Sequence, residues 1–270
     1  MDVSVNDIHM HIEMAGIGQS MVVLHGFTGS SSNWQSFFPS WSRDLQVIAP
    51  DLIGHGRSSA PEDAGRYTMD KAADDLAALL DQLEVQKAYV LGYSMGGRLA
   101  LTFAIRHPDR VLSLLLESSS PGLESEQKRK ERMERDEALA DRIEQIGVEA
   151  FVNEWEKVPL FATQSAEIRK QLRIQRLQNR ERGLAGSLRG MGTGAQRPLW
   201  QKLSSLEMPV KLVVGEWDHK FCRIAEEMNE RLPDGDIVTV PNAGHTIHVE
   251  QSRFFDKIVD EWIIKNERTE

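Results

Sequence analysis

Short apolar runs that stop at turn residues recur along this chain, with helically spaced stretches between them. Met21–Leu24 runs into His25-Gly26, Gln46–Ala49 into Pro50-Asp51 and the Gly54-His55-Gly56 turn, and Ala88–Leu91 into Gly92. Val111–Leu116 stops at Glu117, Val210–Val214 at Gly215 and Ile237–Val240 at Pro241. Unbroken apolar runs of this length suit strands covered on both faces. The intervening helical patterns are Met69–Leu83, with Leu76, Leu79, Leu80 and Leu83 on one side and Thr68 as N-cap, then Arg98–Arg106 and Phe254–Lys265. Such alternation predicts a parallel α/β sheet flanked by helices.

Residues 121–200 break the rhythm. Pro121-Gly122 opens a stretch without a strand candidate, dense in Arg, Glu, Gln and Lys at helical spacing. It holds 15 Lys+Arg against 13 Asp+Glu, whereas the rest of the 270 residues hold 17 against 28. The expectation is a helical cap, 121–200, inserted in an acidic core formed by 1–120 and 201–270. No internal repeat suggests a solenoid. A net charge of −9 argues against a nucleic-acid partner. Cys222 is the single cysteine, which excludes intramolecular disulfides and thiolate zinc sites. The opening MDVSVNDIHMHIEM lacks the basic and apolar parts of a secretory signal, and no run approaches the ~18 apolar residues of a membrane span. A cytoplasmic location is therefore expected, with no membrane partner and no oligomer implied.

Chemistry concentrates in Gly92-Tyr93-Ser94-Met95-Gly96, which fits G-x-S-x-G between a strand and a helix. That setting makes a nucleophile elbow: small flanking residues permit the sharp turn, and the helix N-terminus supplies free N–H groups and a favourable dipole. A serine hydroxyl needs an imidazole to take its proton and a carboxylate to orient the imidazole. Asp218, past Val210–Val214, and His245, past Ile237–Val240, follow in the order Ser, Asp, His, both at the carboxyl edge of the sheet. His9, His11, His107, His219 and His248 are weaker candidates for the base, and His25 and His55 read as turn organisers. The turn His25-Gly26-Phe27-Thr28-Gly29 follows a strand directly, so the Phe27 N–H would join that of Met95 in an oxyanion hole.

Together these motifs resemble the α/β-hydrolase fold family over essentially the whole chain. The segments HGFTGSSSNW, DLIGHGRS, GYSMGGRLAL, ESSSPGL, GEWDHKF and NAGHTIHVE are similar to the 2-succinyl-6-hydroxy-2,4-cyclohexadiene-1-carboxylate (SHCHC) synthase family of menaquinone biosynthesis. The resemblance implies a mostly parallel sheet flanked by helices with an inserted helical cap. It implies a lyase that keeps the triad but uses it to eliminate pyruvate from an enolpyruvyl intermediate, a small-molecule polycarboxylate. Arg98, one helical turn after Ser94, shares its face and suits carboxylate recognition. By resemblance, Arg132 in QKRKERMERD and Arg176 in LRIQRLQN supply two further cations, with Arg129 or Arg135 as alternatives if the register of the first run differs. Trp155 and Phe161 correspond to an aromatic wall. Tyr93 either donates a hydrogen bond or packs.

Two other readings stay open on sequence alone. One is a hydrolase of esters or carbon–carbon bonds on the same fold, although the carbon–carbon hydrolases place Trp after the catalytic His and Thr246 follows His245 here. The other is a non-catalytic ligand receptor. No metal cluster or cofactor motif stands out, so no cofactor is implied. Gly190-Met191-Gly192-Thr193-Gly194 follows no strand and is expected to be a flexible cap connector.

Overall fold

The computed structural model describes residues 1–267. Its strands are β1 (Asp2–Val5), β2 (Ile8–Ala15), β3 (Gln19–Leu24), β4 (Leu45–Pro50), β5 (Ala88–Tyr93), β6 (Val111–Glu117), β7 (Val210–Gly215) and β8 (Gly235–Val240). They form one sheet in the order β1-β2-β4-β3-β5-β6-β7-β8. β2 runs antiparallel to β1 and β4, and every later pairing is parallel. The helices are α1 (Phe38–Trp41), α2 (Met69–Gln82), α3 (Met95–Arg106), α4 (Glu126–Trp155), α5 (Ala166–Arg176), α6 (Glu181–Met191), α7 (His219–Asn229), α8 (Ile247–Glu250) and α9 (Ser252–Glu267). Among the described residues no helix is long and apolar enough to cross a membrane.

The unbroken apolar runs are explained by the two faces of the sheet. Val22, Leu24, Ile48 and Val90 point to one apolar cluster, closed by Leu76, Leu79 and Leu80 of α2 and Leu99 and Phe103 of α3. Met21, Val23, Val47, Tyr89 and Leu91 point to the other, closed by Trp34, Trp41 and by Phe255, Ile258 and Trp262 of α9. Adjacent residues on a strand face opposite ways, so a strand covered twice must be apolar at every position. The edge hairpin β1–β2 escapes this rule. Its inner residues Val3, Val5, Ile8 and Met10 are buried while Asp2, Ser4 and His9 are exposed. A strand of four residues with such alternation leaves a faint trace in sequence.

Several boundaries shift from the expected ones. α3 begins at Met95, before Gly97, because the chain turns into helix immediately at Ser94. α9 reaches from Ser252 to Glu267, two residues beyond the expected range at each end.

Between β6 and β7 the chain forms helices and turns but no strand, with α4 and α6 burying Ile143, Phe151, Val152, Leu184 and Leu188 against each other. α4 breaks at Gly147 (φ 79°, ψ 165°), and the Val148 N–H that the break frees donates to Glu181 at the start of α6. The segment around Gly190–Gly194 is not the flexible connector expected from its composition. Gly190 completes α6, while Gly192 and Gly194 lie against α4, where added Cβ atoms would come 2.5 Å from the Asp136 carboxylate and 2.6 Å from the Met133 nitrogen. Its glycines serve close packing, not motion.

α6 also docks directly on the core. A Cβ added at Gly183 would sit 2.0 Å from the Gly54 carbonyl oxygen, so only glycine permits this backbone-to-backbone approach. Gly183→Ala should cost about 1–3 kcal/mol by forcing the helix off the core. Urea denaturation would measure the loss, and a stability equal to wild type would contradict this docking.

Candidate active site

Ser94 sits at the junction of β5 and α3 with φ +52° and ψ −106°, a conformation a non-glycine residue enters only under constraint. Two glycines make the turn passable. A Cβ on Gly92 would lie 2.5 Å from the Gly96 carbonyl oxygen, and one on Gly96 2.4 Å from that of Leu24. The Ser94 N–H donates to the Glu117 carbonyl at 2.9 Å and its own carbonyl accepts from Arg98 at 3.0 Å. The turn is fixed from both sides.

His245 and Asp218 reach it from the ends of β8 and β7. The Ser94 hydroxyl lies 3.0 Å from His245 Nε2, and His245 Nδ1 lies 2.6 Å from Asp218 Oδ2. An ionised carboxylate only accepts, so Nδ1 carries the proton and Nε2 turns its lone pair to the serine. His245 is buried. Asp218 also caps α7, accepting the Phe221 N–H at 3.4 Å. Supports missed by the sequence reading hold the imidazole loop. Glu250 accepts the N–H groups of Gly244 (2.9 Å) and Thr246 (3.1 Å), on either side of His245. Glu117, read only as a strand end, is fully buried with His248, whose Nδ1 and backbone N–H both donate to its carboxylate at 2.9–3.0 Å. Glu117 thereby ties the serine turn to the histidine loop. The signal available in the sequence was a glutamate closing the apolar run Val111–Leu116.

The His25–Gly29 turn is clamped beside the serine. Gly26 O accepts from Gly29 N–H at 3.0 Å and from His25 Nδ1 at 2.8 Å, while His25 Nε2 accepts the Leu52 N–H at 2.9 Å. The Phe27 N–H finds no acceptor among the described residues, and the Met95 N–H, at the first position of α3, has no intrahelical partner. Two unspent donors on residues that line the cavity over Ser94 suit a developing oxyanion.

A cavity of about 260 Å³ opens over Ser94 and His245, walled by Phe27, Tyr93, Trp155 and Phe161, with Arg98, Arg132 and Lys220 among its lining. A larger open groove of about 670 Å³, beside Ser30–Ser32 and Arg57, contains none of Ser94, His245 or these cations. Arg98 is buried, and its Nη1 donates to Gln196 at 2.8 Å; no carboxylate among the described residues ion-pairs with it. Burial, then the nearby Arg132 charge, pushes its pKa down to about 9, which leaves it charged at neutral pH. Arg132 gives its Nε to Asp136 at 2.8 Å. Of the arginine-rich run, Arg132 lines the cavity, whereas Arg129 bonds the Leu123 and Glu124 carbonyls and Arg135 is exposed.

Arg176 stands elsewhere. It lines a small neighbouring cavity behind Phe161, with its guanidinium carbon 4.9 Å from that ring and its Nη1 3.5 Å from Glu156. Arg176, at the end of α5, is buried there, and its cavity shares Phe27, Tyr93 and Phe161 with the one over Ser94. Trp155 stacks on Phe151 and meets Phe27 and Phe161 edge to face. The Tyr93 hydroxyl pairs with Thr246 at 3.3 Å, and Thr246 in turn accepts from Gln164 at 2.9 Å, so the residue after His245 joins the elbow to the helical insertion. Tyr93 both packs and bonds.

The profile of the α/β hydrolase fold family matches residues 19–252. A Bacillus subtilis (strain 168) protein assigned to the SHCHC synthases is 48% identical over 248 residues, 91% of this chain and 90% of its own. An Enterobacter sp. (strain 638) protein named SHCHC synthase is 34% identical, covering 85% of this chain and 86% of its own. This chain belongs to the SHCHC synthase family of α/β hydrolase-fold proteins. The structure of MenH from S. aureus superposes with a TM-score of 0.90 at 35% identity, covering 96% of this chain and 98% of that one.

In this SHCHC synthase-family chain none of the other histidine rings bonds the Ser94 hydroxyl among the described residues. His11 lies between Asp2 and Glu13, His107 bonds Asp74, and His9 bonds Ser4. His219 opens α7 on the exposed side. His25 and His55 organise the turns, ring against ring at 5.1 Å.

Burial, with the His25 charge second, lowers the His55 pKa from 6.5 to about 3, and burial lowers that of His25 too. Well above pH 6.5 both rings are neutral whether folded or unfolded. Below it the unfolded imidazoles bind protons that the folded ones refuse, so stability falls as pH drops toward the folded values. Urea unfolding should lose about 1–2 kcal/mol between pH 6.5 and 5.5 from this pair. His55→Asn should flatten that slope, and an unchanged slope would contradict the neutral buried pair.

Proposed function

We propose that this chain eliminates pyruvate from 2-succinyl-5-enolpyruvyl-6-hydroxy-3-cyclohexene-1-carboxylate, giving SHCHC, with the Ser94–His245–Asp218 array as its proton-transfer device. The observation that carries the reading is Arg98: a buried guanidinium, without a carboxylate of its own, opening into the same cavity as Ser94 and His245. A buried cation lacking an internal counter-ion is stabilised when an anion enters. The substrate brings three carboxylates, and Arg98 and Arg132 grip two of them. Arg176 acts through the wall, holding Phe161 against Trp155.

The chemistry follows from the substrate's structure. The proton on ring carbon 2 is acidified by the succinyl ketone and by the adjacent double bond. The Ser94–His245 pair removes it, with Asp218 holding the imidazolium, while the N–H groups of Phe27 and Met95 steady the charge that grows on the ketone oxygen. Electrons of the broken C–H bond form the 2,3 double bond, the 3,4 double bond moves to 4,5, and the bond from carbon 5 to oxygen breaks. The enolate of pyruvate leaves and takes up a proton. No acyl-enzyme forms, and a cavity closed by the helical insertion keeps out the water that hydrolysis needs.

A coupled assay of pyruvate release from the enolpyruvyl substrate, run beside uncharged p-nitrophenyl esters, tests this. Ser94→Ala should lower kcat by roughly 10³-fold or more. Arg98→Ala should lower kcat/KM by roughly 30- to 1,000-fold, the cost of leaving a carboxylate without its buried partner. Ester turnover that exceeds pyruvate release, or an Arg98→Ala enzyme with both kinetic constants intact, would overturn the assignment.

A further inference from the structure

Three carboxylates need three cations, and the cavity over Ser94 is lined by only two of the three arginines anticipated from sequence, since Arg176 lies behind Phe161. We propose that Lys220 is the third cation of the substrate site, holding at the cavity mouth the carboxylate that Arg98 and Arg132 leave unmet. The inference rests on the elimination reading above.

Lys220 is the second residue of α7, two places after Asp218. The Asp218 cap that fixes the first turn of α7 therefore fixes the root of the lysine as well. Its ammonium lies 5.2 Å over the Phe221 ring, and that ring packs at 4.7 Å on His245. The charge is thus carried to the rim of the reacting cavity on an aromatic platform. Among the described residues Lys220 makes no hydrogen bond or ion pair, and the acid beside it, Asp218, is committed to His245. Partial burial, then the Arg132 charge, lowers its pKa against the opposing pull of Asp218. Arg98, Arg132 and Lys220 line the same cavity, so the three cations form one arc on its wall. A lysine suits the outer end of that arc. Its flexible stem and three donors follow a mobile succinyl arm, whereas the planar guanidinium forks deeper inside set orientation.

The test compares wild type with Lys220→Ala, Lys220→Glu and Lys220→Arg in the pyruvate-release assay, with calorimetric binding of tricarballylate as a second measurement. The ammonium is exposed enough that none of these changes threatens folding. Lys220→Ala should raise KM roughly tenfold or more while kcat falls by less, the loss of one charge-assisted contact. Lys220→Glu should raise KM further and Lys220→Arg should recover most of the loss. Tricarballylate should bind wild type more tightly than Lys220→Ala, by a margin that shrinks with added salt. A KM within twofold of wild type for Lys220→Ala would overturn the proposal. So would a loss confined to kcat with a displaced pH profile, which would assign Lys220 to the Asp218–His245 pair instead. If wild type released no pyruvate but tricarballylate binding still depended on Lys220, the elimination reading would fall and the carboxylate site would stand.

Discussion

The crossing of α3 over the end of β5 is the constraint on which the rest of the molecule depends. Ser94 occupies a positive-φ conformation that costs a non-glycine residue about 1–3 kcal/mol. That cost is offset because neighbouring backbone holds both sides of the residue, through Glu117 O and the Arg98 N–H. The crossing puts a hydroxyl, a free helix N-terminus and the first arginine of α3 within one turn of chain. Everything else in the site is brought to that point.

Glu117 extends the constraint through space. Its carbonyl fixes the serine turn while its carboxylate fixes His248, three residues beyond His245. Glu250 holds the two peptide groups around the imidazole from the other side. The serine–histidine distance is therefore determined by a buried network in which every loop is anchored to strand ends, and not by the two side chains alone. A network of this kind tolerates little drift, because each unmet buried group would carry a full desolvation cost.

Charge follows a local logic that the net value conceals. The chain is strongly acidic, yet Arg98, Arg132 and Lys220 converge on a cavity whose nearby carboxylates are Asp136, bonded to Arg132, and Asp218, bonded to His245. Exposed acidic groups beyond about 10 Å are screened by salt, whereas partly buried cations are not. A polyanion inside the cavity therefore responds to the three cations and hardly to the acidic exterior. The near-balance of charge in residues 121–200 is a sum of paired and unpaired groups. Arg189 is neutralised by Glu137, Asp141 and Glu144 on the outside, whereas Arg132, paired with Asp136, lines the cavity.

The sequence by itself determined the fold family and singled out the three residues proposed as the reacting array. Strands β3 to β7 declare themselves because burial on both faces demands apolar residues throughout, and the elbow declares itself because only a few residue types pass so tight a turn. Ser94, Asp218 and His245 were legible for the same reason: each stands just past a strand that is unmistakable. Local pattern carried less about the edge hairpin β1–β2, whose alternation is short, and about the glycine-rich end of α6, where composition suggests freedom and close packing removes it. What the tertiary structure alone decided was which charges meet. Arg132 instead of Arg129 or Arg135 faces the cavity through the rotation of α4 against α6, Arg176 is set behind Phe161 by the path of α5, and Lys220 enters because Asp218 caps its helix. Spacing along the chain specifies a helix face but not what that face is packed against, and the direction of a long cationic side chain is fixed only by its neighbours in space.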